Sequence, residues 1–278
     1  MKRPNPTSPL LAVLAALALQ ACVHENPQSL QLAGGVVALR LAVGPGIAGE
    51  CYPENVQLLR SHGTLDLMTQ NIYEFFPLVR NLMQRTTQVT GNGAAQLRTD
   101  ASTVHVKGAV VSLEMDTASA GPFSGLSLKP STSYYVHVTG TVAPEALTIA
   151  RFPLITSAIG EQLRAKIKAS ADRYTAMQRI IAHVKIEGEM QDGTVVQTNT
   201  IDFPLDLCWG CLIHLDAAEA GVGVKAPEEQ YAWCSQKPVG PGYIPPCVVG
   251  NDEYVPCGFY CATCDLEGSC DERYCPPN

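Results

Sequence analysis

Ala182-His183-Val184-Lys185-Ile186-Glu187, then Asp192-Gly193, then Val195 onward to Phe203 is the stretch that decides the fold. Apolar and polar residues alternate strictly over its first six positions, which is the period of a half-buried β-strand. Asp-Gly is the dipeptide that a tight hairpin turn selects, because both central residues of that turn favour positive φ. Val195, Gln197, Asn199, Ile201 and Phe203 then lead back as a second strand.

The same period recurs upstream. Val37, Leu39, Leu41 and Val43 alternate, as do Leu65 and Leu67 after the turn-like His62-Gly63. Thr103–Met115 and Tyr134–Val142 read the same way. Ile72–Met83 suits both periods, but Pro77 inside it weakens a helix and fits an edge strand or a bulge. One segment breaks the pattern: Ile159, Leu163 and Ile167 recur every four residues, a short amphipathic helix crossing between sheets, with Gly160 its weak spot. Glycine- and serine-rich joints at 91–95 and 118–127 punctuate the strands. The expectation is a mainly β protein. Its architecture reads as a two-sheet immunoglobulin-like β-sandwich over 36–215 with one short helix. A C-terminal, disulfide-rich, loop-dominated subdomain over 216–278 follows.

The chain has 278 residues and a formal net charge of −7. An acidic balance argues against nucleic acid, whose binders present a basic face to phosphates. A hydrophobic share of 46% excludes wholesale disorder.

The N-terminus carries an address. Lys2 and Arg3 precede ten uninterrupted Leu, Ala and Val residues, Leu10–Leu19. As a helix that run is ~15 Å long, about half of a bilayer core, too short to span but right for a secretory signal. Leu19-Gln20-Ala21-Cys22 follows at once, and resembles the lipobox of bacterial lipoproteins. The resemblance implies a signal peptide over 1–21, diacylglycerol on the Cys22 sulfur, and a lipidated tether over 22–35. Two or three acyl chains at ~0.8 kcal/mol per buried methylene hold a protein to a membrane durably. Val23 stands where aspartate would favour inner-membrane retention, so the outer membrane is the expected address.

Ten cysteines remain: Cys51, Cys208, Cys211, Cys234, Cys247, Cys257, Cys261, Cys264, Cys270 and Cys275. An even count in an exported chain reads as disulfides, with the pairing left open. Cys208-Trp209-Gly210-Cys211 has two rival readings. As a zinc half-site it lacks a partner pair at ribbon spacing, Cys261/Cys264 being 49 residues on. As a thiol–disulfide oxidoreductase site it would gain from a helix starting near Leu212. Structural staples are the simpler account. Around this step, Phe203-Pro204-Leu205-Asp206-Leu207-Cys208-Trp209-Gly210-Cys211-Leu212, with Cys247 to Cys257 beyond, is similar to a group of cysteine-rich exported lipoproteins of myxobacteria. That likeness implies an address and a β-rich shape, and no activity.

Chemistry elsewhere is thin. His24, His62 and His214 are scattered, while His105, His137 and His183 sit mid-strand and would bind metal only if their strands bring them together. Gly121-Pro122-Phe123-Ser124-Gly125 lacks the spacing of a nucleophile elbow. Asp252, Glu253, Asp265, Glu267, Asp271 and Glu272 do not follow a calcium loop and read as solvated charge. Tyr231, Trp233, Tyr243, Tyr254, Phe259, Tyr260 and Tyr274 read chiefly as packing on the staples. The sequence therefore predicts no catalytic residues, no metal and no cofactor. Its expected partners are the membrane, through Cys22, and an envelope protein or polysaccharide. A redox enzyme using Cys208 and Cys211, or a metal-binding lipoprotein, are the alternatives.

Overall fold

The computed structural model describes residues 29–36, 38–44, 47–53, 59–84, 101–116, 132–214 and 247–261, with backbone alone for 36, 38–44, 47–53, 132 and 214. The fold is mainly β. Strands β1 (Leu30–Val36), β4 (Leu59–Arg60), β7 (Pro77–Asn81) and β10 (Leu147–Ile149) form one sheet in the order β10-β7-β1-β4. A second sheet runs β5 (Gly63–Asp66), β14 (Ile201–Cys208), β12 (Gln178–Met190), β8 (Val104–Met115), β9 (Thr132–Val142), with β13 (Val195–Gln197) also pairing β12. Among the described residues three further pairs form: β2 (Ala38–Gly44) with β3 (Ile47–Pro53), β6 (Tyr73–Phe75) with β11 (Phe152–Ile155), and β15 (Ile213–His214) with β16 (Val255–Pro256).

The long strands β8 and β12 form the spine, and their inward residues Val104, Val106, Val111, Ile180, Ala182, Val184 and Ile186 are buried. Leu30, Leu32 and Val79 of the first sheet join the same cluster, so both sheets feed one core. β1 begins at Leu30, within the stretch 22–35 that the lipobox resemblance implies as a tether, and Leu30 and Leu32 alternate into the core like any strand. Most pairings are antiparallel, but β5 lies parallel to β14, and β15 parallel to β16. Pro77 opens β7, an inner strand, where it faces a register shift in β1 and its carbonyl accepts from Ala150 N–H at 3.0 Å.

The hairpin forms at the expected place but not with the two-residue turn. Its loop is 191–193, closed by Gly193 N–H to Met190 O at 3.0 Å and Met190 N–H to Thr194 O at 2.9 Å, and Asp192 does not share the positive φ of Gly193. Gly193 has φ +83°, and Asp192 Oδ1 accepts from Thr194 N–H at 2.9 Å. The return strand is not continuous, however. Glu187 pairs Gln197 while Val184 pairs Ile201, so one extra residue sits on the returning side. That shift exchanges the faces: Val195 is 65% exposed and Val196 is buried, whereas Phe203, Leu205 and Leu207 point inward. The interruption has its own bonds. Thr198 Oγ1 accepts from Ile186 N–H at 3.0 Å, and the Asn199 side chain accepts from Leu32 N–H at 2.8 Å. Asn199 also donates to Leu32 O at 3.2 Å, imitating a strand to tie the two sheets together.

The helix α1 (Ser157–Ala169) lies between β11 and β12, with Leu163 and Ile167 fully buried. Gly160 is a packing requirement more than a weak spot. A Cβ there would overlap the Asn71 carbonyl, so the missing side chain lets helix and loop meet. No helix among the described residues is long and apolar enough to cross a membrane.

Candidate functional site

The Cys208-Trp209-Gly210-Cys211 step begins on the last residue of β14, beside the last residue of β5: Cys208 and Asp66 are parallel-register partners. Cys208 and Cys211 are disulfide-bonded with their Cα atoms 5.9 Å apart. Cys208 is buried at 1% exposure, and Cys211 is half-buried. The Leu65 carbonyl oxygen lies 3.7 Å from Cys208 Sγ. In the disulfide this is a contact, because the sulfur carries no proton; in a thiol it is a ready acceptor.

Asp66 organises the loop. Its carboxylate is fully buried, yet Oδ1 accepts from Gly210 N–H at 2.7 Å and Met68 N–H at 3.0 Å, and Oδ2 accepts from Leu212 N–H at 3.0 Å. The β5 edge adds Leu67 N–H to Cys208 O at 2.9 Å. A carboxylate oxygen of Asp66 and the two sulfurs all lie within 4.8 Å of one another. Burial pushes the Asp66 carboxyl up from its ordinary value, against the three backbone donors and the Arg164 guanidinium, which pull it down. Arg164, on α1, also donates to Met68 O at 2.5 Å.

The clamp changes what the disulfide is worth. Closing a four-residue loop removes about 2 kcal/mol of chain entropy, against about 3 kcal/mol for fifteen residues. The loop is already fixed by bonds that do not involve sulfur. Where the sequence allowed a helix from Leu212, the chain instead enters β15.

A second polar centre joins the C-terminal segment to the body. Asp252, at φ +61°, accepts from Thr64 N–H at 2.6 Å and from the Tyr73 hydroxyl at 2.7 Å, and faces Arg60 at 3.5 Å. Solvated loop charge is thus the wrong description of Asp252, whose side chain is 16% exposed and fully engaged. Burial raises its carboxyl and that of Glu253. Gly250 O accepts from Asp66 N–H at 2.8 Å, and the Asn251 amide donates to Ile72 O and accepts from Glu74 N–H. Val255 and Tyr260 enter the core, while Phe259 packs on its margin and Tyr254 is exposed. A cleft bordered by Arg60, Tyr73, Phe203 and Asp252 holds about 30 Å³, room for a water or two.

The strand histidines are held apart by register. His137 shares a row with Gly108 and Glu187, and His105 a row with Thr141 and Glu189. His183 stands four residues along β12 from Glu187, ~13 Å away at the strand rise. It is instead bracketed by Asp202 at 2.6 Å on Nδ1 and Glu114 at 3.3 Å on Nε2, which raise its pKa, the Asp202 bond foremost. His62 is exposed, and for His214 only the backbone is described.

Of the other cysteines, Cys247, Cys257 and Cys261 are disulfide-bonded, and Cys51 lies in β3. Cys22, Cys234, Cys264, Cys270 and Cys275 lie outside the described residues, as do His24, Asp265, Glu267, Asp271, Glu272, Tyr231, Trp233, Tyr243 and Tyr274. Asp66 escaped the sequence reading, although an acid between Leu65 and Leu67 in a buried strand is itself a signal, since a buried charge needs partners.

No protein-family model and no curated protein matches the chain. Among solved structures, it is similar to the crystal structure of a protein from Archaeoglobus fulgidus at 15% identity and a TM-score of 0.26, covering 52% of this chain and 89% of that one.

Proposed function

We propose that the protein is an exported lipoprotein, held on the outer membrane by a lipid on Cys22, with a binding or structural role at the cell envelope. The observation that carries the reading is Leu19-Gln20-Ala21-Cys22 set directly behind ten apolar residues. The oxidised state of Cys208, Cys211, Cys247, Cys257 and Cys261 supports it, because such bonds persist outside the cytoplasm. The body is a two-sheet immunoglobulin-like frame, and its partner is an envelope protein or polysaccharide that meets a surface. Accurate mass of the detergent-extracted protein tests the anchor. A chain starting at Cys22 with added acyl mass is expected. An N-terminus upstream of Cys22, or one at Cys22 without acyl mass, overturns the reading.

A further inference from the structure

The geometry points to thiol–disulfide exchange at this loop: the Cys208–Cys211 bond accepts two electrons from a protein dithiol, with Cys211 the sulfur attacked and Asp66 the proton donor to Cys208. Three observations on different links of the structure converge on it. Access is asymmetric, since Cys211 is half-buried and Cys208 is 1% exposed, so an incoming thiolate meets Cys211 first. The leaving sulfur is provided for, with the Asp66 carboxyl within 4.8 Å and the Leu65 carbonyl at 3.7 Å to accept an S–H. Above all, the loop does not depend on the bond it would lose. Gly210 and Leu212 are held by Asp66, and Cys208 O by Leu67, so the S–S bond can open while the backbone stays in place. A cross-link that constrains little and opens without unfolding is poorly suited to stapling and well suited to exchange.

The steps balance. One thiolate of the dithiol attacks Cys211 Sγ; a bond forms between the two sulfurs, the Cys208–Cys211 bond breaks, and its electron pair leaves on Cys208 Sγ. That sulfur takes the proton of the Asp66 carboxyl. The second thiolate then attacks the partner's own sulfur in the mixed disulfide, and Cys211 departs and is protonated by solvent, as is Asp66. One dithiol has become a disulfide, and one disulfide has become two thiols. The protons lost when the dithiol ionised are the ones returned.

Asp66 acts in its neutral form, since a carboxylate beside the departing thiolate repels it. Burial favours that form and is the largest influence; the backbone N–H groups of Gly210, Leu212 and Met68, and then the Arg164 guanidinium, act against it. The Asp252–Tyr73–Arg60 cluster on the neighbouring segments engages Thr64 instead.

The test uses the full-length, detergent-extracted protein with dithiothreitol as the dithiol probe. Exchange is stopped with acid, thiols are alkylated, and the sites are mapped by peptide mass. Cys208 and Cys211 are expected to be labelled at least tenfold faster than Cys247, Cys257 and Cys261. Glutathione as a monothiol is expected to leave its adduct on Cys211 and a free thiol on Cys208. The rate per attacking thiolate should fall as pH rises through the Asp66 titration. Asp66→Asn should abolish that inflection and slow the reaction at least tenfold on its acid side. Arg164→Gln should move the inflection to higher pH, and it serves as the variant if Asp66→Asn does not fold. Reduction of the pair only together with the other disulfides overturns the proposal, as does an adduct on Cys208. A wild-type profile without an inflection overturns it too, and so does an Asp66→Asn or Arg164→Gln profile that superimposes on the wild type. Lipid anchoring is read separately, from the mass at Cys22, and stands or falls by itself.

Discussion

At the scale of single residues, Asp66 shows how much of this structure hangs on one side chain. Its two oxygens serve three backbone donors on two segments that are more than 140 positions apart in the chain. Asp66→Ala strands all three in a buried site. At ~1–3 kcal/mol per buried donor left unmade, partly relieved by water entering, a loss of about 3–5 kcal/mol is expected. Urea unfolding with disulfides intact measures it; a loss under ~1 kcal/mol would show that the loop is held by other means. His183 makes a prediction in pH. Its folded pKa lies above the unfolded value of about 6.5, so its carboxylate partners add stability that is complete below that value and lost as pH rises through the folded pKa. Melting of His183→Gln against wild type between pH 5 and 9 should show the wild type ahead at acid pH and the gap closing on the alkaline side. A gap that is constant across the range would refute the linkage. Neither partnership was legible in the sequence, because both are made across strands, and one sequence does not state strand order.

Elements were easier to read than residues. The period-two runs around Val104, Val136 and Val184 and the four-residue repeat of Ile159, Leu163 and Ile167 each formed the element they imply, because burial on one face enforces the period. The return strand after Gly193 went differently, since period alone does not announce an inserted residue. The displaced phase is held by Asn199, and Asn199→Ala should cost about 1–3 kcal/mol by freeing Leu32 N–H and C=O in a partly buried seam. Thermal melts would report it, and a melting temperature equal to wild type would mean that the seam rests on apolar contact alone. Gly160 offers a test in which two principles disagree in sign. Helix propensity alone favours Gly160→Ala by ~1 kcal/mol. The Asn71 carbonyl in its path predicts destabilisation of 2 kcal/mol or more, and chemical denaturation decides between them.

On the scale of the whole molecule, the described segment beyond the boundary that composition places near residue 216 packs on the strand body. The 247–261 segment bonds to the side of β5 that β14 leaves open and to β15, and it buries Val255 completely. Proline, glycine and cysteine content revealed that this part is cross-linked, but nothing in it says where it docks. Val255→Asp places a charge in that seat and should loosen the segment first. Limited proteolysis is expected to cut within 247–261 ahead of the strand body, and cleavage in the strands first would contradict the integration described. The same docking sets an order of events in time. Asp252 reaches Thr64 across 188 positions and Tyr73 across 179, so the open side of β5 stays uncovered until a much later part of the chain has been made. Until then β5 presents unpaired amides, a template for pairing with a neighbouring chain, and the Tyr73 hydroxyl of β6 lacks its Asp252 acceptor. That edge of the body is therefore closed by a segment made long after it, and the interval between the two, more than any weakness of the finished fold, is where pairing is most exposed to going astray.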